Sequence, residues 1–333
     1  MAITKTSGAL ALSEIQTEFG GSNPISLSEY YAGGSQVSSG TTDGDGNAIP
    51  SSGAIKVSDF YDTSATSYWA ATGGSVTTSG DYKIHIFNSS GTFAISSVTS
   101  GSDTIEYLII AGGASGGLNC GGGGGAGGYK SGNASPSAGS HTVTVGAGGA
   151  GRNGSTEQRF KGNDGGNSSV FSTTSTGGGA GGGHSNRGVA NATGNGGGSG
   201  GGGGTSTGDS HSGGSGTSGQ GNNGGSSSSA NDGTGGGGGG AGGAGASPGN
   251  GGSSTSSSIT GSSVARAGGG GGGRGTSGAT SGGGGGASGG SSYDSPSSNA
   301  TANTGSGAGG VRDNYDGGNG GSGVVILKYK YQN

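Results

Sequence analysis

The 333 residues carry 13 Lys and Arg against 17 Asp and Glu, a net charge of −4, and only 9% of the chain is charged. So small a balance, with its cations widely spaced, excludes a basic nucleic-acid surface, and no apolar stretch reaches the length of a membrane span. One cysteine, Cys120, excludes a disulfide framework, and 25% hydrophobic content confines a conventional core to the first third.

The opening residues Met1 to Gly8 lack the apolar region of a secretory leader, so the chain is expected to be assembled in a cytoplasm. A degenerate repeat follows. Leu10-Ala11-Leu12-Ser13-Glu14-Ile15, Ile25-Ser26-Leu27-Ser28-Glu29-Tyr30 and Ile55-Lys56-Val57-Ser58-Asp59-Phe60 share an apolar-x-apolar-Ser-acidic-apolar pattern. Each copy predicts a short extended piece leading into a capped helical turn. In the first, Ser13 and Gln16 form a capping box, Ile15 and Phe19 share a face, and Gly20-Gly21 ends the helix. Residues 1–65 thus form a small docking module, marginal alone at that size. Its candidate contacts are Leu12, Ile15, Phe19, Leu27, Tyr30, Tyr31, Val57, Phe60 and Tyr61. Asp43-Gly44-Asp45-Gly46-Asn47 is a turn, since the sixth and twelfth positions of a calcium loop are here Ala48 and Ala54.

Residues 66–111 turn to β signals. Tyr82 to Phe87 alternates, Asn88-Ser89-Ser90-Gly91 turns, Thr92 to Ile95 returns, and Thr104 to Ile110 ends in a buried-type run. Val324 to Tyr331 is a further strong strand that can complete a sheet only by returning to these. One small sheet is expected, a platform of 66–111 and 324–333, with His141 to Val145 and Ser169-Val170-Phe171 as weaker strands.

Between Gly112 and Gly323 lie 83 of the 97 glycines, the other 14 preceding that tract; the usual share is about 7%. A tract so poor in large apolar residues is either disordered or held by its own backbone. Polyproline II satisfies none of its own backbone groups, so such helices must bond to one another, and glycine lets their axes approach. Collagen is excluded by five prolines and runs such as Gly235 to Gly240. Ten runs, at 112–117, 121–128, 146–151, 177–183, 194–204, 235–245, 268–275, 282–290, 305–310 and 317–323, fall in one length class. The fold class expected is mostly β and irregular: the docking module, the β platform, and 112–323 as a bundle of antiparallel polyglycine II helices.

No catalytic constellation emerges. His85, His141, His184 and His211 stand far apart without ligand spacing, so neither an enzyme nor a cofactor or metal is expected. Because the tract leaves and re-enters one platform, its passes must be even in number. Counted so, 184–193, 246–267 and 291–304 fall at the platform end, and 152–176, 205–234, 276–281 and 311–316 at the far end. The far set supplies the candidate contacts Arg152, Arg159, Phe160, Lys161, His211, Asn222, Arg312, Asp313, Asn314 and Tyr315, with Arg and aromatic residues of the kind that anchor interfaces.

The order of strand, Ser-Ser-Gly-Thr-Phe, Glu-Tyr-Leu-Ile-Ile-Ala-Gly-Gly, glycine tract, Thr-Val-Thr-Val-Gly-Ala-Gly-Gly-Ala-Gly, glycine tract and Gly-Gly-Ser-Gly-Val-Val-Ile-Leu-Lys-Tyr resembles the glycine-rich domain of tailed-phage fibre and adhesin proteins. Leu12-Ser13-Glu14-Ile15, Phe19-Gly20-Gly21, Leu27-Ser28-Glu29-Tyr30-Tyr31 and Val57-Ser58-Asp59-Phe60-Tyr61 look like the start of virion structural proteins from marine phages, cyanophages in particular. The resemblance implies a virion protein whose tip loops recognise a host surface protein or polysaccharide, and whose N-terminal module binds other virion proteins. A homo-oligomer such as a trimer would fit, without nucleic acid or membrane insertion. The alternative is a structural virion component, a capsid decoration or fibre shaft.

Overall fold

The computed structural model describes residues 3, 10–37, 41–43, 46–61, 63, 69–98, 104–154, 160–184, 189–206, 208–229, 233–273, 282–284, 296–312 and 315–331. It is mostly β and irregular, with few helices.

In the N-terminal segment each repeat makes a short helix: α1, Leu12–Phe19, then 3₁₀ turns at Leu27–Tyr30 and Val57–Phe60. The acidic residue of the pattern accounts for the first and third. Glu14 accepts a hydrogen bond from the Ala11 N–H at 2.8 Å, and Asp59 accepts one from the Lys56 N–H at 2.8 Å, satisfying a donor that the helix leaves free. The cap of α1 is therefore Ala11 with Glu14, not Ser13 with Gln16. Ile15, Phe19, Tyr30 and Phe60 are buried together, Phe60 meeting the edges of Phe19 and Tyr30 at 5.9 and 6.1 Å. Tyr30 donates to the Gly20 carbonyl at 2.9 Å, and Tyr31 donates to Gly53. Leu12, Leu27, Val57 and Tyr61 pack against this cluster. All of the docking candidates but Tyr31 thus belong to the module's own core or pack against it, together with Ile3, Leu10, Val37 and Ile49. Asn47 closes its turn by donating backbone N–H to Asp43 Oδ1 at 2.7 Å.

The strands are β1 Ala70–Thr72, β2 Ser75–Ser79, β3 Tyr82–Phe87, β4 Gly91–Ser97, β5 Ile105–Ile110, β6 Tyr129–Ala134, β7 Gly139–Val143, β8 Ser168–Val170, β9 Thr173–Ser175, β10 Thr255–Ser257, β11 Val264–Arg266 and β12 Val324–Lys330; a helical turn, α2, spans Val189–Ala192. They make two principal sheets rather than one. The five-stranded sheet runs β2-β3-β12-β5-β6, with Val325 opposite Phe87 on one side and Ile109 on the other. β4 leaves its hairpin partner for a three-stranded sheet, β1-β4-β7, because Phe87 and Phe93 turn inward to the same core. That core holds Trp69, Phe87, Phe93, Ile95, Ile109, Val143, Val170, Val325, Leu327 and Tyr329. The opposite face of the large sheet buries Ile84, Leu108, Ile110 and Ile326 beneath Ile259 of the β10–β11 hairpin.

His85 is fully buried in the sandwich. Its Nδ1 lies 2.7 Å from the Gly73 carbonyl, which can only accept, so Nδ1 carries the proton. Nε2 then accepts from the Tyr329 hydroxyl at 3.1 Å, and that oxygen accepts from the Ala71 N–H at 3.1 Å. Burial holds the His85 pKa below its ordinary value, with the Gly73 bond opposing and Lys83 adding to the effect.

The glycine runs form neither helices nor ladders, yet their hydrogen bonds are regular. Successive N–H groups of 121–128 donate in rotation: Gly122, Gly125 and Gly128 to Gly182, Gly179 and Thr176; Gly123 and Ala126 to Gly236 and Gly239; Gly124 and Gly127 to Ala308 and Gly305. Its carbonyls accept in the same rotation, from 111–117, 199–202 and 270–273. The bonding thus repeats every three residues, and the run is enclosed on all sides. Contact is close enough that a Cβ at Gly123 would stand 2.1 Å from the Gly270 oxygen, and one at Gly238 2.0 Å from that of Gly124.

Two of the ten runs turn back on themselves. Gly201 donates to Asn195 and Gly204 to Ala192, folding 194–204 in half, and Gly240 to Gly243 with Gly237 to Ala246 does the same for 235–245. Further passes come from 160–167 and 221–226, and also from 211–216, which pairs with 194–201, and 249–253, which pairs with 235–242. The first pairs with 111–118 and 178–181, leaving β8 and β9 at the platform and so placing Ser169-Val170-Phe171 with the sheets. The second pairs with 200–203. These reversals change which loops share an end. The described part of 184–193 lies at the far end rather than beside the sheets, and Asn222 lies at the platform end.

Candidate recognition surface

At the end of the bundle away from the sheets, a chain reversal leaves backbone groups that neighbouring runs do not satisfy. Among the described residues, side chains satisfy several of them. The main chain itself ties several loops together: Leu118 donates to Phe160 at 3.0 Å, Thr205 to Cys120 at 3.2 Å, Gly183 to Asn191 at 2.9 Å and Gly121 to Val311 at 3.1 Å.

Arg152 is the hub of one loop. Its Nε donates to the Lys161 carbonyl at 2.6 Å and Nη2 to Asn163 Oδ1 at 3.0 Å, and its guanidinium lies 5.4 Å from the Phe160 ring centre. Lys161 sends Nζ to Asn195 Oδ1 at 2.7 Å and its backbone N–H to Asn191 Oδ1 at 3.0 Å. Burial lowers the Lys161 pKa, and nearby Asp164 acts against that. Asp164 accepts from the Ala180 N–H at 2.7 Å and from Asn195 Nδ2 at 2.9 Å. Asp316 Oδ1 takes the Gly154 N–H at 2.9 Å, joining the loop after 151 to the one before 317.

The predicted contact residues divide accordingly. Arg152, Phe160, Lys161 and Tyr315 are half-buried at this end. His211 and Arg312 are there too, but only 7% and 6% exposed, so they face the bundle. Asn222 donates to the Gly240 and Ala241 carbonyls at 2.8 and 3.1 Å, capping a reversal beside the sheets. Arg159, Asp313 and Asn314 lie outside the described residues. The sequence reading missed Asn163, Asp164, Asn191, Asn195 and Asp316, although an Asn or Asp at the margin of a glycine run was a legible sign of a cap.

Among the described residues no group of three His, Cys, Asp or Glu could hold a metal ion, and no helix is long and apolar enough to cross a membrane. A family model described as a glycine-rich domain matches residues 88–330, from the turn before β4 to the end of β12. No curated protein matches the chain.

Proposed function

The chain belongs to the glycine-rich domain family, and from that premise we propose that it is a virion structural protein of a phage, a tail fibre or adhesin. It presents far-end loops to a host surface from a bundle of polyglycine II helices. The observation that carries this reading is polarity. The N-terminal segment joins the chain at β1, within the sandwich, while the reversals after 117, 151, 183, 204, 226 and 311 gather at the opposite end. A rod tethered at one end and looped at the other suits display. The polyglycine II assignment is supported by the three-residue repeat of hydrogen bonds, the repeat of that helix. Phe160, Lys161 and Tyr315 are the half-exposed anchors available there.

A second reading, a shaft or capsid decoration without a receptor, draws on the burial of His211 and Arg312 and on the inward bonds of Arg152. Competition separates the two. Purified protein is expected to reduce adsorption of the phage to its host, and Phe160→Ala with Tyr315→Ala to weaken that competition at unchanged melting temperature. Binding to virions without any binding to cells would favour the shaft.

A further inference from the structure

The outer runs of the bundle repeat in burial as the inner ones do in bonding. In 146–151 Gly146 and Gly149 are buried while Ala147 and Ala150 are exposed; in 211–216 His211 and Gly214 are buried while Ser212 and Ser215 are exposed. Gly318 and Gly321 alternate with exposed Asp316 and Asn319, and Gly249 and Gly252 with exposed Asn250 and Ser253. Every third position faces outward, and in each of these runs it holds a residue with a side chain. Inner runs differ: 235–240 is all glycine and buried throughout, as are the glycines of 121–128 and 268–273.

An array of this kind has no natural boundary. The backbone N–H groups of Ala147, Ala150, Ser212 and Ser215 have no acceptor among the described residues, so the runs 146–151 and 211–216 still offer the donors with which inner runs bind one another. What differs is the space in front of them. Between inner runs a Cβ would stand about 2 Å from a facing carbonyl oxygen, as at Gly202 against Gly236 and Gly238 against Gly124, both 2.0 Å. A run approaching Ala147 or Ala150 at that spacing meets the methyl first.

We propose that the outward residue at every third position of the runs 146–151 and 211–216 is a steric stop, blocking a lateral surface that would otherwise accept the glycine runs of a second copy of this chain. The partner excluded is chemically specific: another glycine array, bonded backbone to backbone. This resembles the guarding of an exposed sheet edge, with side-chain bulk in place of charge. Where an inner run carries a Cβ, as at Ala126 or Ala308, the methyl has apolar neighbours. The inference rests on reading the tract as packed polyglycine II helices.

The test removes the stop. Full-length protein carrying Ala147→Gly with Ala150→Gly, and a second variant carrying Ser212→Gly with Ser215→Gly, are compared with wild type by sedimentation velocity over a hundredfold concentration range. At least one variant is expected to show new concentration-dependent association, with circular dichroism unchanged, while Ala147→Val with Ala150→Val sediments as wild type does. Variants that both sediment as wild type overturn the stop. Gly238→Val distinguishes that failure from failure of the underlying reading. If it lowers the melting temperature while the glycine variants do not associate, the packed array stands and the stop falls; if it melts as wild type, the array reading falls as well.

Discussion

The sandwich and the glycine bundle are both buried, but different atoms fill them. In the sandwich Phe93 packs against His85, Phe87, Phe171 and Tyr329 at ring separations of 5.1 to 6.4 Å, so side chains hold the two principal sheets together while the ladders run within each. In the bundle backbone meets backbone on all sides, and a side chain is an obstacle. The two regions therefore invert the usual effect of size: removing atoms should damage the first, and adding them should damage the second.

The largest effect expected is that of Phe93→Ala, which empties the centre of the sandwich and should cost about 3–5 kcal/mol, measured by denaturant unfolding. A loss below 1 kcal/mol would mean that the sandwich is not packed as described. Gly238→Val should come next, at about 3 kcal/mol, the upper part of the overpacking range, because the obstructing atom is a backbone oxygen that no rotamer relieves. A change within 0.5 kcal/mol, the size of an ordinary surface substitution, would erase the contrast between the two regions. The smallest effect is pH-dependent and belongs to the sandwich alone. An unfolded histidine takes up its proton near the ordinary value of 6.5, whereas folded His85 does so at lower pH. The unfolded state thus binds more protons in that interval. Stability should be full above about pH 6.5, decline as pH falls through the folded value, and level off below it. Melting temperatures of wild type and His85→Gln from pH 7.5 to 5 should diverge in slope, and parallel slopes would remove His85 as the cause.

The same contrast explains what could be read in advance. Tyr82–Phe87 lies where alternation put it, and Val324–Lys330 lies within the apolar stretch read as a strand, since a side-chain core writes its geometry into residue type. β4 was misplaced because the alternation of Thr92 to Ile95 states which faces are apolar but not which sheet they join. Inside the tract, the reversals within 194–204 and 235–245 fall among residues that carry no distinguishing side chain, so composition alone gave one run in place of two. One signal was present and unread: Ala147 and Ala150, or Ser212 and Ser215, recur at the three-residue repeat. The candidate contacts fared unevenly for a related reason. An arginine that terminates a bundle and one that faces a partner look alike in sequence, and Arg312 proves buried.

β12 lies between β3 and β5, bonded to both along nearly its full length. The central strand of the large sheet is thus supplied more than 200 residues after β5. At a translation rate of about 5–20 residues per second, the ribosome needs roughly 10–40 s to make the intervening chain. During that interval β3 and β5 have no common partner, and the apolar residues meant for both faces stay open to water. Beyond the N-terminal segment, which has its own core, the nascent protein cannot complete its sheets in chain order. Its scaffold closes only when Val324 to Lys330 emerges, so a ribosome that stalls within the glycine codons releases a chain with an unclosed sheet and a half-assembled bundle.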